Sequence, residues 1–109
     1  PMMGIAQYTL DVPVIKGTSG ILLLKKDSAL SPESDNCIRC SFCIKACPQG
    51  LMPQILAKAS KKEMWSKMKY EYNLMDCMEC GSCTYACPAK IPIVQWIRLG
   101  KFKTRKLKI

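Results

Sequence analysis

The sequence has no histidine and only 8 acidic residues among its 109. Without histidine, the chain has neither a zinc site that mixes cysteine with histidine nor a hydrolytic site with an imidazole base. Long hydrophobic runs are also missing. The longest purely aliphatic run, Ile21–Leu24, is far shorter than the about 20 residues that span a bilayer. We therefore expect no transmembrane segment, and we find no signal-peptide pattern and no glycine-rich phosphate loop.

Cysteine, in contrast, is abundant, and its eight residues form two groups with the same internal spacing. The second group repeats the first after 40 positions, and a proline, Pro48 or Pro88, follows each group. The cysteines are Cys37, Cys40, Cys43 and Cys47 in the first group and Cys77, Cys80, Cys83 and Cys87 in the second. This repeat predicts a duplicated unit with one metal site per copy, in a reducing compartment rather than as a disulfide scaffold.

The spacing C-x-x-C-x-x-C-x-x-x-C-P is typical of two [4Fe–4S] clusters, and in that pattern the fourth cysteine ligates the other cluster. The predicted ligands are therefore Cys37, Cys40, Cys43 and Cys87 for cluster 1, and Cys77, Cys80, Cys83 and Cys47 for cluster 2. Two alternatives stay open: quartets that each hold their own cluster, and structural zinc, which usually shows pairs of C-x-x-C farther apart.

Positive charge exceeds negative charge, with 17 Lys and Arg and a formal net charge of +9. Two clusters of about −2 each would reduce this to roughly +5. The chain offers no hydrolytic triad and no cysteine beyond the two quartets, so we expect an electron carrier that is not catalytic by itself. A nucleic-acid-binding module is an alternative suggested by charge, but no recognition element supports it. Another alternative is a domain in which the clusters only stabilise the fold.

The chain divides into segments of different character. Residues 1–30 contain short β-leaning pieces at Ile5–Leu10, Val12–Ile15 and Ile21–Leu24, and residues 31–36 are expected to be a linker. Residues 37–100 are predicted to be mainly helical, and residues 101–109 to be a basic tail. The helical signals are Pro53 and Pro92 as helix starts, a capping box at Ser60 and Glu63, and Gly100 as a helix end.

Three stretches resemble the C subunit of the Rnf complex, the ion-translocating ferredoxin:NAD oxidoreductase of bacterial membranes. They are PMMGIAQYTLDVPVIKGTSGILLL at 1–24, CIRCSFCIKACPQGLMPQ at 37–54, and YNLMDCMECGSCTYACPAKIPIVQWIR at 72–98. The resemblance is most specific outside the cysteines, at Pro13–Gly20, Gly50–Pro53 and Ile91–Gln95. Ser41 departs from the glycine usual in the first motif.

The resemblance implies an α-helical dicluster ferredoxin domain, preceded by the end of an adjoining β-grasp-like domain at residues 1–30. It implies that FMN and NADH bind to an upstream part of a longer protein, absent from this chain. The expected partners are that upstream domain and other subunits of a membrane complex, and the expected location is peripheral, on the cytoplasmic face of the bacterial inner membrane. Soluble flavin/NADH reductases such as cobalamin reductases share this layout and are the nearest alternative.

Overall fold

The structure is a computed structural model that describes residues 5–7, 9–29 and 33–109. Residues 1–4, 8 and 30–32, which include part of the expected linker, lie outside the described residues. The chain forms two compact units, Pro1–Pro32 and Glu33–Ile109. The helices in chain order are α1 (Lys26–Ala29), α2 (Phe42–Ala46), α3 (Pro53–Lys61), α4 (Trp65–Tyr70), a 3₁₀ helix (Leu74–Asp76), α5 (Ser82–Ala86) and α6 (Ile93–Lys106).

The mainly helical fold class is confirmed, but the β-stranded segment expected before residue 25 is not seen among the described residues. The described parts of Ile5–Leu10, Val12–Ile15 and Ile21–Leu24 are extended or irregular. Their side chains are exposed, with Leu10 at 99% and Leu23 at 91%. A strand requires a second strand to pair with, and β propensity in the sequence does not supply that partner.

The core of the second unit lies between α3, α4 and α6. Five large side chains are almost completely buried there, namely Leu56, Met68, Leu74, Ile93 and Ile97. Each contributes about 1.5–3 kcal/mol by leaving water. Helix α3 packs along α6, and the short helices α2 and α5, one from each cysteine group, pack against each other. The two cysteine groups are thus brought side by side.

The prolines mark helix starts as expected. Pro53 is the first residue of α3, and Pro92 immediately precedes α6. Proline suits the first turn because its fixed φ is helical and its missing N–H would have no partner inside the helix.

The predicted capping box at Ser60 and Glu63 is wrong. Ser60 lies inside α3, and its hydroxyl donates a hydrogen bond of 2.8 Å to the carbonyl of Trp96 in α6. Helix α4 instead begins at Trp65, after Glu63 has adopted a left-handed backbone with φ 56°. The serine therefore joins two helices rather than starting one.

Gly100 does not end the last helix, as had been expected; α6 continues to Lys106. A Cβ at position 100 would lie 2.5 Å from Cε of Met68, so glycine allows α4 and α6 to approach closely. Lys101 and Thr104 are buried on the same helix face, so part of the basic segment belongs to the packed domain. Among the described helices, none has both the length and the apolar character needed to cross a membrane.

Candidate metal centre

The eight cysteines line two cavities in the second unit, four in each. The first cavity is lined by Cys37, Cys40, Cys43 and Cys87. The second cavity is lined by Cys47, Cys77, Cys80 and Cys83. The first is the wider, about 1440 Å³ against about 360 Å³ when the space open to solvent is included. Each cavity therefore takes three cysteines from one group and the fourth from the other.

The donor chemistry of both cavities fits iron–sulfur clusters. All eight cysteines are free thiols, and thiolate is the ligand that such clusters use. Within the described residues, no three Cys, Asp or Glu side chains converge closely enough to hold a single metal ion. A four-iron cluster is larger than one ion and is held by four thiolates at separate iron atoms.

The backbone around the two cysteine groups repeats with the same 40-residue displacement as the sequence. Positive φ angles occur in three equivalent pairs: Arg39 and Glu79 (56° and 58°), Ser41 and Gly81 (65° and 79°), and Gly50 and Lys90 (65° and 56°). Left-handed residues next to right-handed ones turn successive N–H groups toward one side, which forms an anion-binding concavity. The amide of Glu79 donates to Sγ of Cys77 at 3.4 Å in this way.

Two polar side chains contact cysteine sulfurs, and sequence analysis had not identified either of them. Sγ of Cys43 lies 3.1 Å from Oε1 of Gln54, and Sγ of Cys80 lies 3.4 Å from the hydroxyl of Ser82. Gln54 comes from the first turn of α3 and Ser82 from the start of α5. In both contacts the neutral thiol is the donor. A thiolate can only accept, and the Ser82 hydroxyl and the backbone amide of Gln54 are the groups that can donate to it. The sequence signal that could have identified Gln54 and Ser82 is their position next to a helix start.

Burial keeps several of the thiols neutral in the absence of metal. It raises the pKa of Cys83 to about 11, and it also raises the pKa of Cys43 and of Cys77. Cys80 is the exception, because hydrogen bonds from the Ser82 hydroxyl and amide lower its pKa. Since only the thiolate ligates metal, cluster binding must release protons from the buried cysteines.

A charged network borders the second cavity. The carboxylate of Glu79, which lines that cavity, forms ion pairs with Arg98 (3.0 Å) and Lys101 (3.1 Å) of α6. Burial raises the pKa of Glu79, but the hydrogen bonds and charges of Lys101 and Arg98 outweigh it and leave the pKa lowered. The ammonium of Lys101 also donates to the carbonyl of Cys77. Glu79 is thus an ionised carboxylate fixed between two cations.

Comparison with known proteins gives one family match and several close relatives. The family described as 4Fe-4S dicluster domain matches residues 36–91, which contain all eight cysteines. The C subunit of the proton-translocating ferredoxin:NAD(+) oxidoreductase complex of Clostridium ljungdahlii is 51% identical over 105 residues, covering 96% of this chain and 23% of that protein.

Two further relatives carry similar names. The C subunit of the Na(+)-translocating ferredoxin:NAD(+) oxidoreductase complex of Acetobacterium woodii is 50% identical, over 93% of this chain and 23% of that protein. The C subunit of the ion-translocating oxidoreductase complex of Yersinia enterocolitica is 44% identical, over 98% of this chain and 15% of that protein. The chain thus spans less than a quarter of these curated relatives, and its expected resemblance to such C subunits is confirmed.

Proposed function

The chain belongs to the 4Fe-4S dicluster domain family, and from that premise we propose that it passes single electrons between two clusters. Its cofactors are two [4Fe–4S] clusters, as the family match and the eight cysteines support. The observation that carries the proposal is the division of the cysteines between two cavities, four to each.

The proposed ligands follow that division. Cluster 1 is held by Cys37, Cys40, Cys43 and Cys87, and cluster 2 by Cys77, Cys80, Cys83 and Cys47. The cavities support this exchange of the fourth cysteine over self-contained quartets, because Cys87 lines the cavity of the first group and Cys47 lines that of the second.

In this function the chain positions the clusters and adjusts their surroundings. When bound, the clusters supply reversible one-electron oxidation and reduction. The cysteine loops hold them in place, Gln54 and Ser82 contact ligand sulfurs, and the packing of α2 against α5 keeps the two cavities adjacent. No other bond-making chemistry is required of the protein.

The wider setting is proposed from the relatives, whose names describe C subunits of ion-translocating oxidoreductase complexes. We propose that this chain works in a complex of the same kind, with other subunits as electron donors and acceptors. It would then be peripheral to the cytoplasmic face of the bacterial cell membrane.

The chain's position within a longer protein is also proposed. Residues 1–30 would be the end of a β-grasp-like domain, residues 31–36 the linker, residues 37–100 the cluster domain, and residues 101–109 a basic tail. An upstream domain would bind FMN and NADH. The exposed apolar side chains between Ile5 and Leu24 support this, because they suit burial against such a domain.

The test is metal analysis of the anaerobically purified chain, combined with electron paramagnetic resonance of the reduced sample. About eight iron and eight acid-labile sulfide per chain, with two interacting S = 1/2 centres, is the expected result. About two zinc ions without labile sulfide, from cells grown with ample iron, would contradict electron transfer and indicate a structural metal domain.

A further inference from the structure

Glu79 lies between the first two cysteines of the second group and binds two cations of α6. Its Oε2 is 3.0 Å from Nε of Arg98, and its Oε1 is 3.1 Å from Nζ of Lys101. The Lys101 side chain is only 9% exposed, and its ammonium also donates to the carbonyl of Cys77. A buried ammonium is tolerated only when it is paired and hydrogen-bonded, and here both partners belong to the second cysteine loop.

The first cysteine loop has the same backbone but the opposite charge at the equivalent position. Arg39 stands 40 residues before Glu79, with φ 56° against 58°. It is exposed and lines the first cavity. An arginine does not pair with cations as a carboxylate does, so the repeat preserves the shape of the loop and changes its charges.

We propose that Glu79, Lys101 and Arg98 form a positioning network that fixes the second cysteine loop and holds the Lys101 ammonium beside cluster 2, where it raises the reduction potential of that cluster. The inference rests on the proposed electron transfer and names residues that regulate it. Reduction adds one negative charge to a cluster. The Lys101 charge therefore favours reduced cluster 2, whereas the Glu79 charge opposes reduction while it holds Lys101 in place.

The opposite signs of these two charges give a direct test by anaerobic redox titration of the full-length protein. Lys101→Met should make cluster 2 harder to reduce, by about tenfold relative to cluster 1, which is 59 mV for one electron. Glu79→Gln should make cluster 2 easier to reduce. If the network only kept the loop rigid, both variants would loosen the loop and change the potential in the same direction.

Three controls assign each change to its cluster. Lys103→Met removes an exposed lysine of the same helix and should leave both potentials unchanged. Arg39→Gln should lower the potential of cluster 1 alone. In a Cys47→Ser background, which is expected to lack cluster 2, Lys101→Met should leave the remaining potential unchanged.

Iron and sulfide content is measured for every variant, so failure of the inference and failure of the proposed function are distinguishable. A wild-type protein without clusters would refute the proposed function. Fully loaded variants whose cluster 2 potentials shift together, or not at all, would overturn the inference alone. If Lys101→Met loses cluster 2, two other variants test the inference. Glu79→Gln should make cluster 2 easier to reduce, and Lys101→Arg, which preserves the charge, should keep the wild-type potential. An unchanged cluster 2 potential in Glu79→Gln would overturn the inference.

Discussion

Ser41 and Gly81 occupy equivalent positions in the two cysteine loops and share a left-handed backbone, with φ 65° and 79°. Each residue immediately precedes a five-residue helix, α2 or α5. Glycine adopts this conformation without strain, whereas serine carries a Cβ that disfavours it by about 1–2 kcal/mol. At this position the first loop is therefore strained and the second is not, whereas at Gly50 and Lys90 the order is reversed.

Exchanging these residues should change stability in opposite directions. We expect Ser41→Gly to stabilise the cluster-loaded protein by about 1 kcal/mol and Gly81→Ser to destabilise it by about 1–2 kcal/mol. A Cβ at Gly81 would meet no protein atom within 4 Å, so within the protein itself the expected loss comes from backbone strain. The measurement is anaerobic thermal unfolding followed by cluster absorbance, and equal midpoints for the two variants would contradict the explanation.

Replacing the fourth cysteine of each group tests the exchange of ligands. Cys47→Ser should remove cluster 2 and leave cluster 1, because Cys47 lines the second cavity. Cys87→Ser, the matched variant, should remove cluster 1 and leave cluster 2. Metal analysis and electron paramagnetic resonance would distinguish the two variants. If Cys47→Ser instead removed cluster 1 and Cys87→Ser removed cluster 2, each cysteine group would hold its own cluster.

Gly100→Ala should destabilise the protein despite alanine's higher helix propensity. Propensity alone would add up to about 1 kcal/mol of stability. The new methyl group, however, would lie 2.5 Å from Cε and 3.3 Å from Sδ of Met68, so this fully buried side chain must shift. We expect a net loss of about 1–2 kcal/mol from overpacking, measured by denaturant unfolding.

The same substitution in a Met68→Ala background is its control. There the methyl group finds space, so Gly100→Ala should become neutral or stabilising relative to Met68→Ala. An equal loss in both backgrounds would show that the contact with Met68 is not the cause.

Ser60→Ala should weaken the packing of α3 against α6. The Ser60 hydroxyl is buried and donates to the Trp96 carbonyl at 2.8 Å, so its removal should cost about 1 kcal/mol of unfolding free energy. Ser66→Ala, on the exposed side of α4, is the matched control and should stay within about 0.5 kcal/mol of the wild type. Similar losses of stability in both variants would show that the interhelical hydrogen bond is not the cause.

The features that sequence predicted well depend on local patterns. The 40-residue repeat of cysteines indicated two equivalent loops, and Pro53 and Pro92 marked helix starts, because proline restricts its own backbone whatever surrounds it. The family resemblance, which rests on many residues at once, was confirmed as well. The assignment of individual cysteines to clusters stays a prediction, although the two cavities support it.

The features that sequence missed depend on contacts between distant residues. Ser60 with Glu63 has the pattern of a capping box, yet the serine bonds to Trp96, 36 residues away. Gly100 resembles a helix end, yet it provides space for Met68. The segment Ile21–Leu24 has β propensity, but a strand needs a partner that no local pattern specifies. The ion pairs of Glu79 with α6 likewise join residues at least 19 positions apart.

The mixing of the two cysteine groups in each cavity has a consequence for biosynthesis. Synthesis proceeds from the N-terminus, so the first three cysteines of the first cavity emerge long before Cys87, their fourth neighbour. The second cavity is complete only when Cys83 has been made. Neither set of four exists on the nascent chain until most of the second group has been translated. With the proposed ligands, insertion of both clusters would therefore be a late event, after most of the domain has been translated.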